Sequence, residues 1–124
     1  MMREIKFRMW DPHGKQMIGY LDFYQCFSNF WVKYETHKWP IMQYTGLKDK
    51  NGQEIYEGDI VIIGPNLIPT TMEVVFTSGQ FIYSRDDRFT AMSYPEYANV
   101  IGNIYENPEL LNPSKDTSPT SKST

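Results

Sequence analysis

The chain has 124 residues, of which 40% are hydrophobic and 15% aromatic, and its formal net charge is −3. This length suffices for one domain of ordinary size and excludes two domains with separate large cores. The acidic balance argues against a protein that neutralises many nucleic-acid phosphates, because such a protein needs a surplus of Lys and Arg.

The numbers of cysteines and alanines further restrict the possible class of protein. Cys26 is the single cysteine, so an intrachain disulfide is excluded and a reducing compartment fits best. The first ten residues alternate charged and apolar side chains and hold no apolar run that could act as a signal peptide or cross a bilayer. Two alanines among many aromatic residues favour strands over helices. We expect a soluble, cytoplasmic, mostly β protein without a membrane partner.

The first predicted element is a half-buried strand over residues 3–10, where apolar and charged side chains alternate. Three apolar side chains share one face: Ile5, Phe7 and Met9. Asp-Pro and Gly within residues 11–15 predict a turn. The aromatic-rich residues 16–35 are interpreted as two strands with an irregular join, and periodicity alone leaves a short buried helix open.

The centre of the chain holds the strongest strand signals. Pro40 excludes a regular helix or a central strand at that point. The next clear strand is residues 59–64, a nearly continuous apolar run that predicts burial on both faces. Two further β-runs, 71–77 and 80–84, are joined by Ser-Gly, which is the pattern of a hairpin.

Beyond this hairpin the pattern weakens. Residues 85–98 show no convincing period and are predicted to form a loop, with one helical turn left open. The arginines and aspartates at its start are expected to pair at the surface. Residues 99–107 are predicted to form the last strand. Asn107 before Pro108 predicts an N-cap followed by one helical turn.

The order of these strands predicts a small, strongly bent barrel with SH3-like features. The N-terminal forty residues exceed such a barrel, so they must add strands to it, which gives a mixture of barrel and sandwich. The domain is expected to span residues 1–111. The tail, residues 112–124, is rich in Ser, Thr, Pro and Lys and has no apolar residue beyond its prolines, so we expect it to be disordered.

The stretch QYTGLKDKNGQEIYEGDIV, residues 43–61, concentrates acids, amides and glycines between two apolar segments. Five of its side chains could line a cation: Asp49, Asn51, Glu54, Glu57 and Asp59. A calcium loop of the EF-hand kind fails in register, because with Gly52 as the loop glycine the first ligand position is Leu47. Turn chemistry explains the same residues, since Asn51-Gly52 suits a type I′ turn and Gly58 suits a left-handed conformation.

On this hairpin interpretation the acids of the stretch are solvated turn residues. The expected structural turn residues are Asn51, Gly52 and Gly58. Gly52→Val should therefore destabilise the fold, whereas Asp49→Ala should leave it nearly unchanged.

No constellation of residues predicts catalysis or a cofactor. His13, Cys26 and His37 lie about a dozen residues apart, without the close pairs typical of structural zinc. Both histidines are expected to face solvent, and Cys26 to be buried and inert. Asp86 and Asp87 are direct neighbours, which in a strand point to opposite faces and are poorly placed to act as one acid–base pair.

Basic and aromatic residues suggest a binding surface instead. Cations could meet phosphates, and rings could stack on bases or on apolar groups. The candidate partner-binding residues are Arg3, Arg8, Trp10, Tyr44, Lys48 and Lys50. Core packing is the better explanation for most of the rings, because one small domain must bury many apolar residues.

Three segments resemble the signature segments of the YopX family of phage and prophage proteins. They are MREIKFRMWD at the start, MQYTGLKDKNGQEIYEGDIV in the middle and VIGNIYENPELL near the end. The resemblance implies a compact, mostly β domain with barrel-like and sandwich-like features, encoded by a bacteriophage or prophage and self-associating. It carries over no catalytic residue, because the family has no established activity.

We therefore expect a non-catalytic accessory protein of a bacterial cytoplasm, a β module that forms a homo-oligomer or binds an unidentified protein. The alternative is a nucleic-acid-binding module, which is not favoured. A metal-dependent enzyme that uses Asp49, Glu54, Glu57 or Asp59 is less favoured still, and no cofactor is expected.

Overall fold

The computed structural model describes residues 4–19, 36–64 and 70–112, which form nine strands and two short 3-10 helices. The predicted mostly β domain with barrel-like and sandwich-like features is confirmed. The strands are β1 (Phe7–Asp11), β2 (Gln16–Ile18), β3 (Ile41–Lys48), β4 (Glu54–Tyr56), β5 (Asp59–Ile63), β6 (Thr70–Thr77), β7 (Gln80–Arg85), β8 (Arg88–Ala91) and β9 (Ala98–Asn103). The 3-10 helices are Pro95–Tyr97 and Pro108–Leu111. None of the described helices is long and apolar enough to cross a membrane.

Some predictions fall on other parts of the chain. The two strands expected within residues 16–35 can be compared only up to Gly19, and the expected burial of Cys26 lies outside the described residues. The same holds for Arg3 and for the tail beyond Asn112.

Two curled antiparallel sheets make up the described fold. Strands β1 to β4 form the first sheet in the order β2-β1-β3-β4, and the other five form the second in the order β8-β7-β6-β5-β9. The register shifts where β3 meets β4 and where β5 meets β9, and such irregularities bend and twist a strand. β5 lies between β6 and β9 with its first three residues buried, so the prediction for this apolar run is confirmed.

β1 is more buried than its alternating sequence predicts. Met9 and Trp10 are neighbours that point to opposite faces of the strand, and both are buried. On one face, Met9 packs with Trp39 in a small apolar cluster. The prediction of a half-buried strand is therefore wrong at this end of β1, because a second layer covers the face that carries Arg8 and Trp10.

The main core lies on the second sheet and includes β4 of the first. Six buried side chains form it: Ile55, Val61, Met72, Val74, Tyr83 and Ala98. Because its members come from β4, β5, β6, β7 and the start of β9, this cluster ties the two sheets together.

One strand, β8, was missed in the sequence, and β3 was predicted only at its end, as the arm of the hairpin that precedes Asn51-Gly52. β3 begins at Ile41, directly after Pro40, so the next strand after that proline is not residues 59–64. Proline at the position before a strand removes no hydrogen bond from the ladder. β8, residues 88–91, lies inside the predicted loop 85–98 and pairs with β7.

The hairpin between β6 and β7 is confirmed. Thr77 pairs with Gln80, and the two residues between them, Ser78 and Gly79, both have positive φ angles of 53° and 81°. This is the backbone pattern of a type I′ turn.

The end of the domain differs in detail from its prediction. β9 ends at Asn103 and does not reach residue 107. Pro108 does open a short 3-10 helix, but the side chain of Asn107 does not cap it. Asn107 Oδ1 instead accepts a hydrogen bond from the backbone N–H of Asn103, at 3.2 Å.

Candidate partner-binding site

The two sheets meet at a polar joint, which we define by Arg8, Trp10, Tyr56, Asp59 and Tyr105. Asp59 Oδ1 accepts a hydrogen bond from Arg8 Nη2 at 2.7 Å, and its Oδ2 accepts one from the backbone N–H of Tyr56 at 2.7 Å. The Arg8 guanidinium also lies 4.6 Å from the centre of the Tyr56 ring. Burial raises the pKa of the Asp59 carboxyl, against the opposing effects of Arg8 and the Tyr56 N–H. The joint is thus an internal ion pair with its hydrogen-bonding groups satisfied.

Gly58 and an aromatic stack complete the joint. Trp10 stacks on Tyr105 with ring centres 5.8 Å apart. Gly58 has a φ of +84°, as predicted from the sequence, and a Cβ at this position would lie 3.4 Å from Met42 Sδ and 3.6 Å from the Tyr105 ring. Its N–H donates to Val74 O, and its carbonyl accepts from the N–H of Ile104. Glycine is therefore favoured here by both its φ angle and its close neighbours.

The loop between β3 and β4 is not the predicted type I′ turn. Gly52 has a φ of +82°, but Asn51 is not among the residues with positive φ. Gly52 N–H donates to Asp49 O, and Asp49 N–H donates to Gln53 O. This is a three-residue hairpin loop, in which a type I turn is followed by a left-handed glycine.

Asp49 is not the solvated residue that the sequence suggested. It is buried, and its Oδ1 accepts hydrogen bonds from the N–H groups of Asn51 and Gln53. Its Oδ2 accepts from the N–H of Val100 in β9, at 2.9 Å. Both oxygens are thus engaged in holding the hairpin loop against the second sheet, and the expectation that Asp49→Ala is nearly neutral loses its premise.

The predicted partner-binding residues do not form one surface. Trp10 and Tyr44 are buried, with exposures of 8% and 4%. Arg8 is held in the joint, which leaves these three side chains little surface for a partner. Lys48 and Lys50 are exposed at the far end of β3 and in the loop that follows.

Lys6 belongs to an ion-paired row on the first sheet. Its ammonium pairs with Glu54 and, at 3.4 Å, with Glu4. It lies 5.2 Å from the centre of the Tyr44 ring. The hydrogen bond to Glu54 is the largest cause of a raised Lys6 pKa. This cation is therefore also engaged within the chain.

Other site predictions have mixed outcomes. His13 and His37 are exposed, as expected. The part of the chain that the structure describes contains no group of three His, Cys, Asp or Glu side chains that could hold a metal ion. The predicted pairing of arginines with aspartates in residues 85–88 is wrong, because Arg85 donates to the carbonyls of Thr71 and Leu111 instead. Arg88 makes no salt bridge within the described ranges.

A concave surface lies at the β8 edge of the second sheet. We call it the tyrosine groove and define it by its lining residues Ile63, Gly64, Tyr83, Thr90, Ala91, Tyr94 and Tyr97. Its volume is about 350 Å³. A second hollow of about 390 Å³ shares Ile63 and Thr90 with it and extends to Arg88 and Phe89. The two together run along the inner side of β8.

Tyr83, which lines the groove, carries a buried polar atom without a partner among the described residues. Tyr83 is 2% exposed, and its hydroxyl has no hydrogen-bond partner among the described residues. Burial, with the nearby carboxylates of Asp49 and Glu96, raises the pKa of Tyr83 to about 12. The hydroxyl is therefore a protonated donor at neutral pH, and leaving it unpaired in the interior costs free energy.

The rim of the groove is aromatic and exposed. Tyr94 and Tyr97 are 64% and 47% exposed, with ring centres 5.9 Å apart, and Phe89 is 63% exposed. These residues lie in the segment 85–98, which was predicted to be a loop with one helical turn left open, so they were not identified as a site from the sequence. The segment Tyr-Pro-Glu-Tyr was the available signal, because a 3-10 helix brings residues three apart onto one side.

A smaller cleft of about 240 Å³ lies where β6 approaches the joint. Glu57 and Glu73 line it together with Tyr105. Glu57 accepts a hydrogen bond from the backbone N–H of Gln43, whereas the carboxylate of Glu73 has no hydrogen bond or ion pair within the described ranges. Burial raises the pKa of Glu73. This cleft is a second place where the fold leaves a polar group unpaired.

Comparisons with known proteins point to one family. Residues 21–112 match the model of a family described as YopX protein. Among solved structures, the crystal structure of protein EF1440 from Enterococcus faecalis is similar, with 30% sequence identity and a TM-score of 0.64. The match covers 89% of this chain and 99% of that one. Comparison with curated proteins finds no match.

Proposed function

The chain belongs to the YopX family, and from this premise we propose that it is a non-catalytic accessory protein that binds a partner through the tyrosine groove. It works in the cytoplasm of a bacterial host, encoded by a bacteriophage or an integrated prophage, and it assembles with itself. Its β sheets form the scaffold, and the groove is the contact surface.

The observation that carries this proposal is the unpaired Tyr83 hydroxyl beneath an exposed aromatic rim. Aromatic residues, and tyrosine in particular, are enriched at protein interfaces because they combine apolar area with a hydrogen-bonding tip. A partner that fills the groove would cover Tyr94 and Tyr97 and could satisfy the buried hydroxyl. The fold thus has both a reason to accept a ligand and a surface that fits one.

Affinity capture with matched variants tests the groove. The tagged full chain is produced in cells that carry the parent phage or prophage, and co-purifying proteins are quantified. The double substitution Tyr94→Ser and Tyr97→Ser should abolish capture of the partner. Phe76→Ser is the control, because Phe76 is also a half-exposed ring but lies next to the β6–β7 turn. Equal recovery with wild type and the groove variant would contradict the proposal.

The assembly part of the proposal has its own test. Size-exclusion chromatography with light scattering should show an oligomer at micromolar concentrations. A strict monomer throughout that range would remove self-association from the proposed function.

Nucleic-acid binding is the less supported alternative. Lys6 and Arg8 are engaged in internal ion pairs, and Trp10 and Tyr44 are buried, so few of the required cations and rings are free. If the chain does bind single-stranded DNA, the affinity should fall steeply from low to physiological salt. Absence of binding at low salt would end this alternative.

A metal-dependent enzyme is the least supported alternative, and metal binding tests it. Magnesium, manganese and calcium should leave the melting temperature unchanged, because a metal bound to the folded state raises stability by mass action. A clear rise with one of these ions would instead support a metal-dependent function.

A further inference from the structure

We propose that the partner is an extended peptide segment that adds to β8 as an antiparallel strand. It carries an apolar residue followed, two positions later, by an acidic residue. This inference rests on the proposed function and names the chemistry of the partner.

Among the described residues, no strand pairs with the outer edge of β8, which we call its free edge. β8 is the outermost strand of the second sheet, it pairs with β7 on one side, and all four of its residues are exposed. Arg85 and Arg88 close a two-residue hairpin, so they form a hydrogen-bonded pair, and such pairs alternate along an antiparallel ladder. The backbone N–H and C=O groups of Phe89 and Ala91 therefore point to the free edge. Unpaired groups of this kind are a template for an added strand.

The side chains of β8 define which residues fit. Thr90 pairs with Tyr83, so Thr90 and Arg88 lie on the face of the sheet that carries the buried Tyr83. A guest residue opposite Thr90 enters the tyrosine groove, where Ile63 and the rings of Tyr94 and Tyr97 favour an apolar side chain. In an antiparallel guest, the residue two positions later lies opposite Arg88.

Charge complementarity selects the second residue. The Arg88 guanidinium makes no salt bridge with any described residue and lines the hollow next to the groove. An acidic side chain opposite it forms a cross-strand ion pair. A second copy of β8 offers only Arg, Phe, Thr and Ala, so it has no acidic residue to place opposite Arg88. The complementary guest is therefore a different sequence.

The first experiment selects peptides on the full chain from a displayed library of random nonapeptides. The enriched sequences should share an apolar residue two positions before Asp or Glu. A synthetic peptide with this consensus is then titrated by fluorescence anisotropy. No enrichment, or a consensus without this spacing, would overturn the inference.

A matched pair of variants tests strand addition. Ala91→Pro removes the N–H that points to the free edge and should weaken binding of the selected peptide about tenfold or more. The control is Gln80→Ala, an exposed position at the β6–β7 turn outside the groove, which should stay within about twofold of wild type. Circular dichroism verifies that both variants fold. Equal affinities for Ala91→Pro and wild type would overturn strand addition.

A double-mutant cycle tests the ion pair and also serves if Ala91→Pro does not fold. Replacing the acidic residue of the peptide by its amide should weaken binding to the wild-type protein about fivefold. The same change should leave binding to the Arg88→Gln variant almost unchanged. Equal losses in the two proteins would show that the acid does not meet Arg88.

Different outcomes would contradict the proposed function and the inference of strand addition. If the library yields nothing but the Tyr94/Tyr97 variant loses its captured partner, the groove binds a folded surface and this inference fails alone. If that variant retains every captured partner and Ala91→Pro still loses the selected peptide, the proposed function fails and the peptide site stands.

Discussion

The joint and the tyrosine groove differ in whether their buried polar groups have hydrogen-bond partners. In the joint, Asp59 receives donors on both oxygens, and the guanidinium of Arg8 is paired. In the groove, the hydroxyl of Tyr83 has no partner among the described residues, and Arg88 at its end forms no salt bridge. A satisfied buried group stabilises one structure, whereas an unsatisfied one has free energy to gain from a ligand. The acid-rich turns of this chain are thus structural, and the groove is the better place to look for function.

The largest effect should come from breaking the joint. Asp59→Ala leaves the Arg8 guanidinium buried without its counter-charge and the Tyr56 N–H without its acceptor, so we expect a loss of about 3–5 kcal/mol in the free energy of unfolding. Urea denaturation measures it. Asp87→Ala is the control, since that aspartate is exposed in the β7–β8 turn and should change stability by less than about 0.5 kcal/mol. Similar values for the two variants would mean that the joint contributes little.

The next effect should come from the hairpin loop. Asp49→Ala removes the acceptor of three backbone N–H groups, and the structure therefore reverses the expectation of a neutral change. We expect a loss of about 2–3 kcal/mol by urea denaturation. Lys50→Ala changes an exposed side chain in the same loop and should be nearly neutral. A neutral Asp49→Ala would restore the view of Asp49 as a solvated turn residue.

A smaller effect is expected at Gly52. Its φ is +82°, and a Cβ there would meet no atom within 4 Å, so the cost of Gly52→Val is backbone strain alone, about 1–2 kcal/mol. Gly19→Val is a matched control, because the described residues leave a Cβ there equally free of contacts and its φ is not positive. Equal thermal stabilities of the two variants would show that the loop adapts to a side chain.

Local chemistry made part of this fold predictable. The β5 run and the Ser78-Gly79 hairpin depend on residues that are neighbours in sequence, and both were predicted correctly. The partners of Asp49 and Asp59 could not be predicted, because Val100 and Arg8 each lie 51 residues away from them in the chain. The turn residues were recognised for the right reason, but what their carboxylates bind is decided only by the packing of the two sheets.

β8 and the groove show a second limit of sequence analysis. β8 is four residues long and exposed throughout, so it has no apolar period to detect. Tyr83 was predicted to lie in a strand, but only the structure shows that its hydroxyl is buried without a partner. Exposed edge strands and buried polar groups without hydrogen-bond partners are therefore the features that are hardest to predict from a sequence. In this chain, these are also the features that suggest function.

The smallest expected effect, with the opposite sign, is at Glu73. Its carboxylate is half-buried without a partner, so Glu73→Gln should raise stability at pH 7, by less than about 1 kcal/mol because solvent still reaches the group. Burial raises the Glu73 pKa in the folded state above its value in the unfolded chain. The folded wild type therefore binds a proton more readily than the unfolded chain does. The stability that wild type lacks relative to Glu73→Gln should shrink as the pH falls through that raised pKa. Urea denaturation at pH 7 and pH 4 tests this sign, and a gain that persists at pH 4 would show that the charge of Glu73 is not its cause.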